Sequence, residues 1–196
     1  MDRYEDYQQV LSLPTPPVEA MLDRAQAIDL ARVANDGMAE LVRRYPDRFP
    51  TFAAALPLND PDASVKEIRR AVDELGARGF QICSNVQGKP ITADEFLPLF
   101  ETMAAYDLPI WLHPYRGADP PDYRTEQRSQ FEIWWTFGWP YETSVAMARV
   151  VFAGLFDRWP NLKIIAHHMG AMAPFFAGGI GPGWDHLGAR TSDEGL

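Results

Sequence analysis

Apolar residues along the chain fall into short continuous runs that alternate with stretches of helical spacing. Gln8–Pro14 (QQVLSLP) reads as a first short strand. Pro16 and Pro17 then open a long helical region. Its stripe is Leu30, Val33, Ala34, Met38, Leu41, Val42 and Tyr45, and Pro46 ends it. Phe49–Leu56 (FPTFAAAL) reads as a buried strand. Asp60 offers an N-cap and Pro61 a first helical residue, and Val65, Ile68, Val72 and Leu75 share one face of the helix that follows. Gly76 and Gly79 close it, and Gly79–Ser84 (GFQICS) is the next strand. Thr92–Glu95 has the form of a capping box, with Ile91 and Phe96 spaced as a hydrophobic staple. Phe96, Leu99, Phe100 and Met103 then mark a core-facing stripe, and Pro109–His113 (PIWLH) is a further strand.

The rhythm breaks at Pro114–Tyr141, a long irregular segment rich in aromatic residues. Helix returns over Thr143–Arg158, and Leu162–His167 (LKIIAH) is the fifth strand. The tail from Gly178 to Leu196 is glycine-rich, lacks a period and reads as a loop. Strands alternating with helices predict a parallel α/β sheet in a single domain over residues 1–196. The spacing suits a (β/α)8 barrel or an open doubly wound sheet. No G-x-G-x-x-G follows the first strand and no P-loop lysine motif occurs, which disfavours the open sheet and a nucleotide cofactor.

Composition narrows the class. The net charge is -9 with no Lys/Arg cluster, which argues against nucleic acid or an anionic membrane surface as partner. No apolar run is long enough to span a bilayer, and the polar start MDRYEDYQQ does not resemble a signal peptide. Cys83 is the single cysteine and sits mid-strand, so it reads as a buried core thiol and no internal disulfide framework exists. A cytoplasmic enzyme is the expectation.

Reacting groups in parallel α/β folds gather at the C-terminal ends of strands. His113 follows PIWL and His168 follows KIIAH, so both imidazoles are placed to reach one pocket. Neutral imidazole binds zinc and similar metals and is the usual general base near neutral pH. His167 and His168 point to opposite sides if both are extended, so one of the two is expected to face the pocket. His186, in the tail, reads as a surface histidine.

Three stretches resemble the amidohydrolase-related family. They are LPIWLHP (Leu108–Pro114), DEFLPLFETMAAYDLP (Asp94–Pro109) and FGWPYETSVAMARVVFAGLFDRWPNLKIIAHHMGAMAPFF (Phe137–Phe176). Within the family the likeness is to aminocarboxymuconate-semialdehyde decarboxylase and γ-resorcylate decarboxylase. The motifs are W-x-x-G-x-P-x-E-T over Trp135–Thr143 and R-x-P-x-L-K-I-I-x-x-H-x-G over Arg158–Gly170. The resemblance implies a metal-dependent (β/α)8 barrel acting on a small carboxylated, possibly aromatic, substrate by non-oxidative decarboxylation or hydrolysis. It implies His113 as a metal ligand and His168, in the register of the family's H-x-G, as the catalytic histidine. It places Trp135 near the substrate pocket and, by analogy, Arg116 against a substrate carboxylate. The implied cofactor is a divalent metal, zinc first with manganese as the alternative, and the implied assembly is a homo-oligomer.

The family's first-strand H-x-H or E-x-H pair does not occur here, and no aspartate follows a later strand beyond H-x-G; Asp185 and Asp193 lie in a loop-like stretch. About five of eight βα units are expected, with Met1 near the second barrel strand. The alternative expectation is a catalytically incomplete fragment that works only with missing segments or a partner.

Overall fold

A computed structural model describes Tyr4, residues 7–13 and residues 15–191, with side chains up to residue 183. Asp185 and His186 therefore lie outside the described side chains, and Asp193 lies outside the described residues.

A four-residue helix, α1 (Val18–Met21), precedes α2 (Arg24–Arg44). The chain then forms β1 (Ala54–Ala55), α3 (Pro61–Asp73) and β2 (Phe80–Cys83). A small hairpin, β3 (Asn85–Val86) with β4 (Lys89–Pro90), leads to α4 (Leu97–Tyr106) and β5 (Pro109–His113). After a long loop come α5 (Ile133–Thr136), α6 (Gly138–Phe152), α7 (Leu155–Arg158), β6 (Lys163–Ala166) and α8 (Ala173–Thr191). Among the described residues no helix is long and apolar enough to cross a membrane.

The main sheet is parallel throughout, in the order β1-β2-β5-β6. A further parallel bridge, Leu11 to Phe52, extends it beside β1. Spatial order thus follows chain order, as in an arc of a barrel; a doubly wound sheet reverses direction at a switch point. The fold is an incomplete (β/α)8 barrel.

Register sets two faces. Phe80, Ile82, Ile110 and Leu112 join Ile68, Phe100 and Met103 in the main core, so this face meets the helices. Strand alternation puts Gln81, Cys83, Trp111 and His113 on the opposite, inner face. Ile165, paired with Trp111 on the outermost of the four strands, is 42% exposed because the arc ends there among the described residues.

Several local expectations shift. The first strand shrinks to the Leu11 bridge, and Pro14 lies outside the described residues. The long helix starts at Arg24, where the Asp23 side chain accepts from Gln26 N, instead of running on from the prolines. Its buried face is Ala27, Ala31, Asn35 and Ala39, while Leu30, Val33 and Leu41 are exposed. Small residues let the helix approach β1 closely enough for Asn35 to hydrogen-bond both the N–H and the C=O of Ala55. The Thr92–Glu95 capping box does not form. Ala93 sits at the N-cap of a 3-10 turn with no side-chain cap, Thr92 Oγ1 accepts from Arg149 Nε instead, and Glu95 pairs with Lys89. Of the tail expected as a loop, residues 178–191 belong to α8, whose helix runs through the glycines and Pro182, and residues 192–196 lie outside the described residues. The helix expected from Thr143 to Arg158 begins at Gly138 as α6 and is interrupted at Gly154, which has a φ of 68°, before α7.

Candidate active site

The C-terminal ends of β2, β5 and β6 converge on one cluster. His113 closes β5, opposite Cys83 of β2, and is 6% exposed. Its Nδ1 lies 2.7 Å from the Pro114 carbonyl oxygen. A carbonyl only accepts, so Nδ1 carries the proton and Nε2 carries the free lone pair. Burial lowers the His113 pKa and the neighbouring His168 lowers it further, against the opposing Pro114 bond, so the ring is neutral at pH 7.

His168 Nε2 stands 3.4 Å from His113 Nε2, and the ring centroids are 5.2 Å apart. His167 does not turn away as alternation predicts. Its ring lies 5.0 Å from that of His113 and 5.9 Å from Trp111. The reason is local. The strand stops at Ala166, His167 adds one ladder bond to the Leu112 carbonyl, and His168 and Met169 then adopt left-handed backbone, with φ of 54° and 58°. Extended alternation no longer applies, and both rings swing to the same side. His167 is the drier of the two; burial first, then His113 and His168, pushes its pKa down to about 4. Its Nε2 makes no hydrogen bond among the described residues.

Trp139, which residue pattern alone did not single out, walls the cluster. Its ring lies 5.2 Å from His113 and 5.9 Å from His168, and its Nε1 donates to the Arg116 carbonyl. Trp135 sits one layer out on α5, 53% exposed, 6.5 Å from Trp134 and 6.0 Å from Trp139. The only signal for Trp139 was its place in WWTFGWPY, where several aromatics compete.

A polar group adjoins the imidazoles. Arg116 is half-buried, its Nε has no hydrogen bond among the described residues, and its closest ion-pair partner, Asp122, is 3.9 Å away. Its stem packs so close to Gly138 that a Cβ there would meet Cδ at 2.8 Å. Asn85 Nδ2 donates to the Tyr115 carbonyl and, at 3.4 Å, to Glu142, while Ser84 Oγ accepts from Tyr115 N. Burial raises the Glu142 pKa, and Arg116, Asn85 and Ser84 pull it back. Arg116 is therefore a half-buried guanidinium whose charge is shared between Asp122 and Glu142.

The residues fit a metal in part. His113 has the tautomer a ligand needs, with its second nitrogen oriented by a carbonyl. His168 Nε2, 3.4 Å from His113 Nε2, is near enough to serve chemistry at an ion held there. Among the described residues, however, no group of three His, Cys, Asp or Glu side chains is arranged to hold an ion.

The chain is similar to proteins of known activity. γ-Resorcylate decarboxylase of Rhodococcus jostii is 39% identical over 183 residues, covering 89% of this chain and 55% of that protein. The 2-amino-3-carboxymuconate-6-semialdehyde decarboxylase of Dictyostelium discoideum is 35% identical over 81% of this chain and 43% of its own. A dihydroxybenzoic acid decarboxylase from Polaromonas, solved with manganese and the inhibitor 2-nitroresorcinol, superposes with a TM-score of 0.79 at 35% identity, covering 90% of this chain and 54% of that one. The chain spans about half the length of the curated relatives it matches. The amidohydrolase family model matches residues 2–189, nearly the whole length, and the chain belongs to the amidohydrolase family.

Proposed function

We propose that this chain carries the histidine half of a metal-dependent, non-oxidative decarboxylase of a small aromatic carboxylate. The carrying observation is the pair of Nε2 atoms 3.4 Å apart at neighbouring strand ends. His113 holds the metal through Nε2. A bound divalent cation, zinc or manganese, supplies a Lewis acid for a substrate oxygen. Manganese is the ion found in the similar Polaromonas enzyme. Arg116 receives the substrate carboxylate, and Trp139 and Trp135 supply flat apolar surface for an aromatic ring. As the carbon–carbon bond breaks, its electron pair stays on the ring carbon and CO2 leaves; His168 delivers the proton that this carbon takes up. A chain with the same residues also suits hydrolysis, which the product distinguishes.

A second reading is favoured by the lack of a three-ligand cluster among the described residues: the half-site becomes active only with ligands from elsewhere. A homo-oligomer is the proposed assembly. The exposed Phe131, Phe137, Phe175 and Phe176 support it, and light scattering tests it.

The deciding experiment pairs elemental analysis of the purified chain with CO2 release from 2,6-dihydroxybenzoate, each beside His113→Ala. Stoichiometric metal that disappears in the variant, with CO2 released by the parent, supports the first reading. Metal without CO2 supports the second. Metal content unchanged by His113→Ala would sink the assignment of His113.

A further inference from the structure

One buried carboxyl has no role in the site described above. Glu19 of α1 is 2% exposed, and its Oε1 has no hydrogen-bond partner among the described residues. The segment is pinned, since Gln87 Nε2 donates to the Glu19 carbonyl at 2.7 Å. The side chain lines a cavity of about 20 Å³ together with Leu13, Val18, Gln81, Ile82 and Cys83, within a hollow of about 300 Å³ that takes in open solvent. The inner part has room for one water-sized oxygen.

Position gives the cavity its interest. Gln81 and Cys83 are the inner-face residues of β2, and Cys83 is registered opposite His113. Cys83, which lines the cavity, and His113 therefore share one face and one end of the sheet, with their strands about 4.8 Å apart. The field of Glu19 reaches Cys83 and Tyr115, and burial raises the pKa of both, so no cation among them balances a carboxylate. Desolvation lifts Glu19 itself to about 7. A neutral carboxylic acid both donates and accepts a hydrogen bond, and an unused oxygen beside a void is shaped for a ligand oxygen.

We propose that Glu19 is a specificity-determining residue of the same pocket, hydrogen-bonding a hydroxyl or carboxylate oxygen of a small aromatic acid one strand away from His113. The ligand class rests on the decarboxylase reading above.

Calorimetric binding of 2,6-dihydroxybenzoate to the chain, with Glu19→Leu, Glu19→Gln and His113→Ala, tests this, with melting temperatures measured alongside. Glu19→Leu is expected to melt no lower than the parent while binding about tenfold more weakly, and Glu19→Gln to recover most of the affinity. Infrared difference spectra should show a protonated-carboxyl band that shifts on ligand addition and is missing in Glu19→Gln; this arm holds even if Glu19→Leu fails to fold. Unchanged affinity in Glu19→Leu, or a band that ignores the ligand, overturns the inference. If His113→Ala weakens binding and Glu19→Leu does not, the decarboxylase reading stands and the role of Glu19 alone falls. If the parent takes up no 2,6-dihydroxybenzoate, both fall.

Discussion

His113 Nε2 and His168 Nε2 face each other at 3.4 Å, one from the end of β5 and one from just beyond β6. The distance is long for a good hydrogen bond. The two rings are not equivalent: His113 is buried and tied to Pro114, while His168 is exposed. The division of labour proposed here, ligand and proton carrier, follows from that difference. His168→Asn should lower turnover by about 10²- to 10⁴-fold while leaving metal content intact. Loss of metal in that variant, seen by elemental analysis, would make His168 a ligand instead.

The turn that delivers His168 is strained. Met169 has a φ of 58° and is 95% exposed, so its side chain packs on little while its backbone occupies a region that favours glycine. Met169→Gly should raise stability by roughly 0.5–1 kcal/mol in chemical denaturation. A loss of similar size would show that Met169 makes a contact that outweighs the backbone gain.

Gly79 guards the start of β2. A Cβ there would lie 2.8 Å from Trp111 Nε1 and 2.9 Å from the Pro109 carbonyl oxygen. The backbone oxygen cannot step aside without moving β5. Gly79→Ala should cost about 1–3 kcal/mol, read as a lower melting temperature. It should also disturb the Trp111–His167 contact, visible in tryptophan fluorescence.

Asn35 is fully buried and fully used. It accepts from Ala55 N at 2.8 Å and donates to Ala55 O at 3.0 Å and Glu67 Oε1 at 2.7 Å. Asn35→Leu strands the N–H and C=O of Ala55 and leaves Glu67 Oε1 with only Arg70 as partner among the described residues, and should cost about 3 kcal/mol or more. Arg32→Ala removes only a 3.7 Å ion pair from a side chain that is 56% exposed, and should cost under about 1 kcal/mol. Equal losses in urea melts would mean that the ion pair, not Asn35, anchors α2.

Glu19 gives stability a definite pH trend. Its carboxyl titrates near 4.5 when exposed and at about 7 when folded. Below about pH 4.5 both states hold the proton and the group is neutral toward folding. Between 4.5 and 7 the unfolded chain gives the proton up while the folded chain keeps it, so rising pH favours unfolding. Above about 7 the folded chain bears a buried carboxylate, and the accumulated loss is on the order of 3 kcal/mol. Cys83 and Tyr115, its electrostatic neighbours, are both raised by burial and stay neutral throughout that window. Melts of Glu19→Gln should be flatter over pH 5–8 than those of the parent; parallel curves would contradict the assignment.

Some elements were legible because the signal was local. Asp60 caps α3 as its sequence position predicts, accepting from Ala63 N. PIWLH is a strand from Pro109 to His113, with Ile110 and Leu112 in the core. His113 and His168 do meet, because strand ends in a parallel sheet are brought together by the sheet itself. Where two local signals competed, reading failed. Thr92 fits a cap but is claimed by Arg149 across 57 residues. In α2 the bulky residues Leu30, Val33 and Leu41 outweigh the alanines in any hydrophobicity pattern, yet the close approach of helix to sheet selects the alanine face.

What the sequence alone determined is the alternating parallel architecture, the strand ends that carry His113 and His168, and the family motifs around them. These follow from periodicity, caps and spacing, all expressed within a turn or two of backbone. Tertiary structure alone decided that His167 joins the cluster, that Trp139 forms its wall and that Glu19 lies buried beside Cys83. Each of these depends on a left-handed turn or on packing between segments far apart in the chain. Burial and hydrogen-bond satisfaction, which no local pattern records, make those choices.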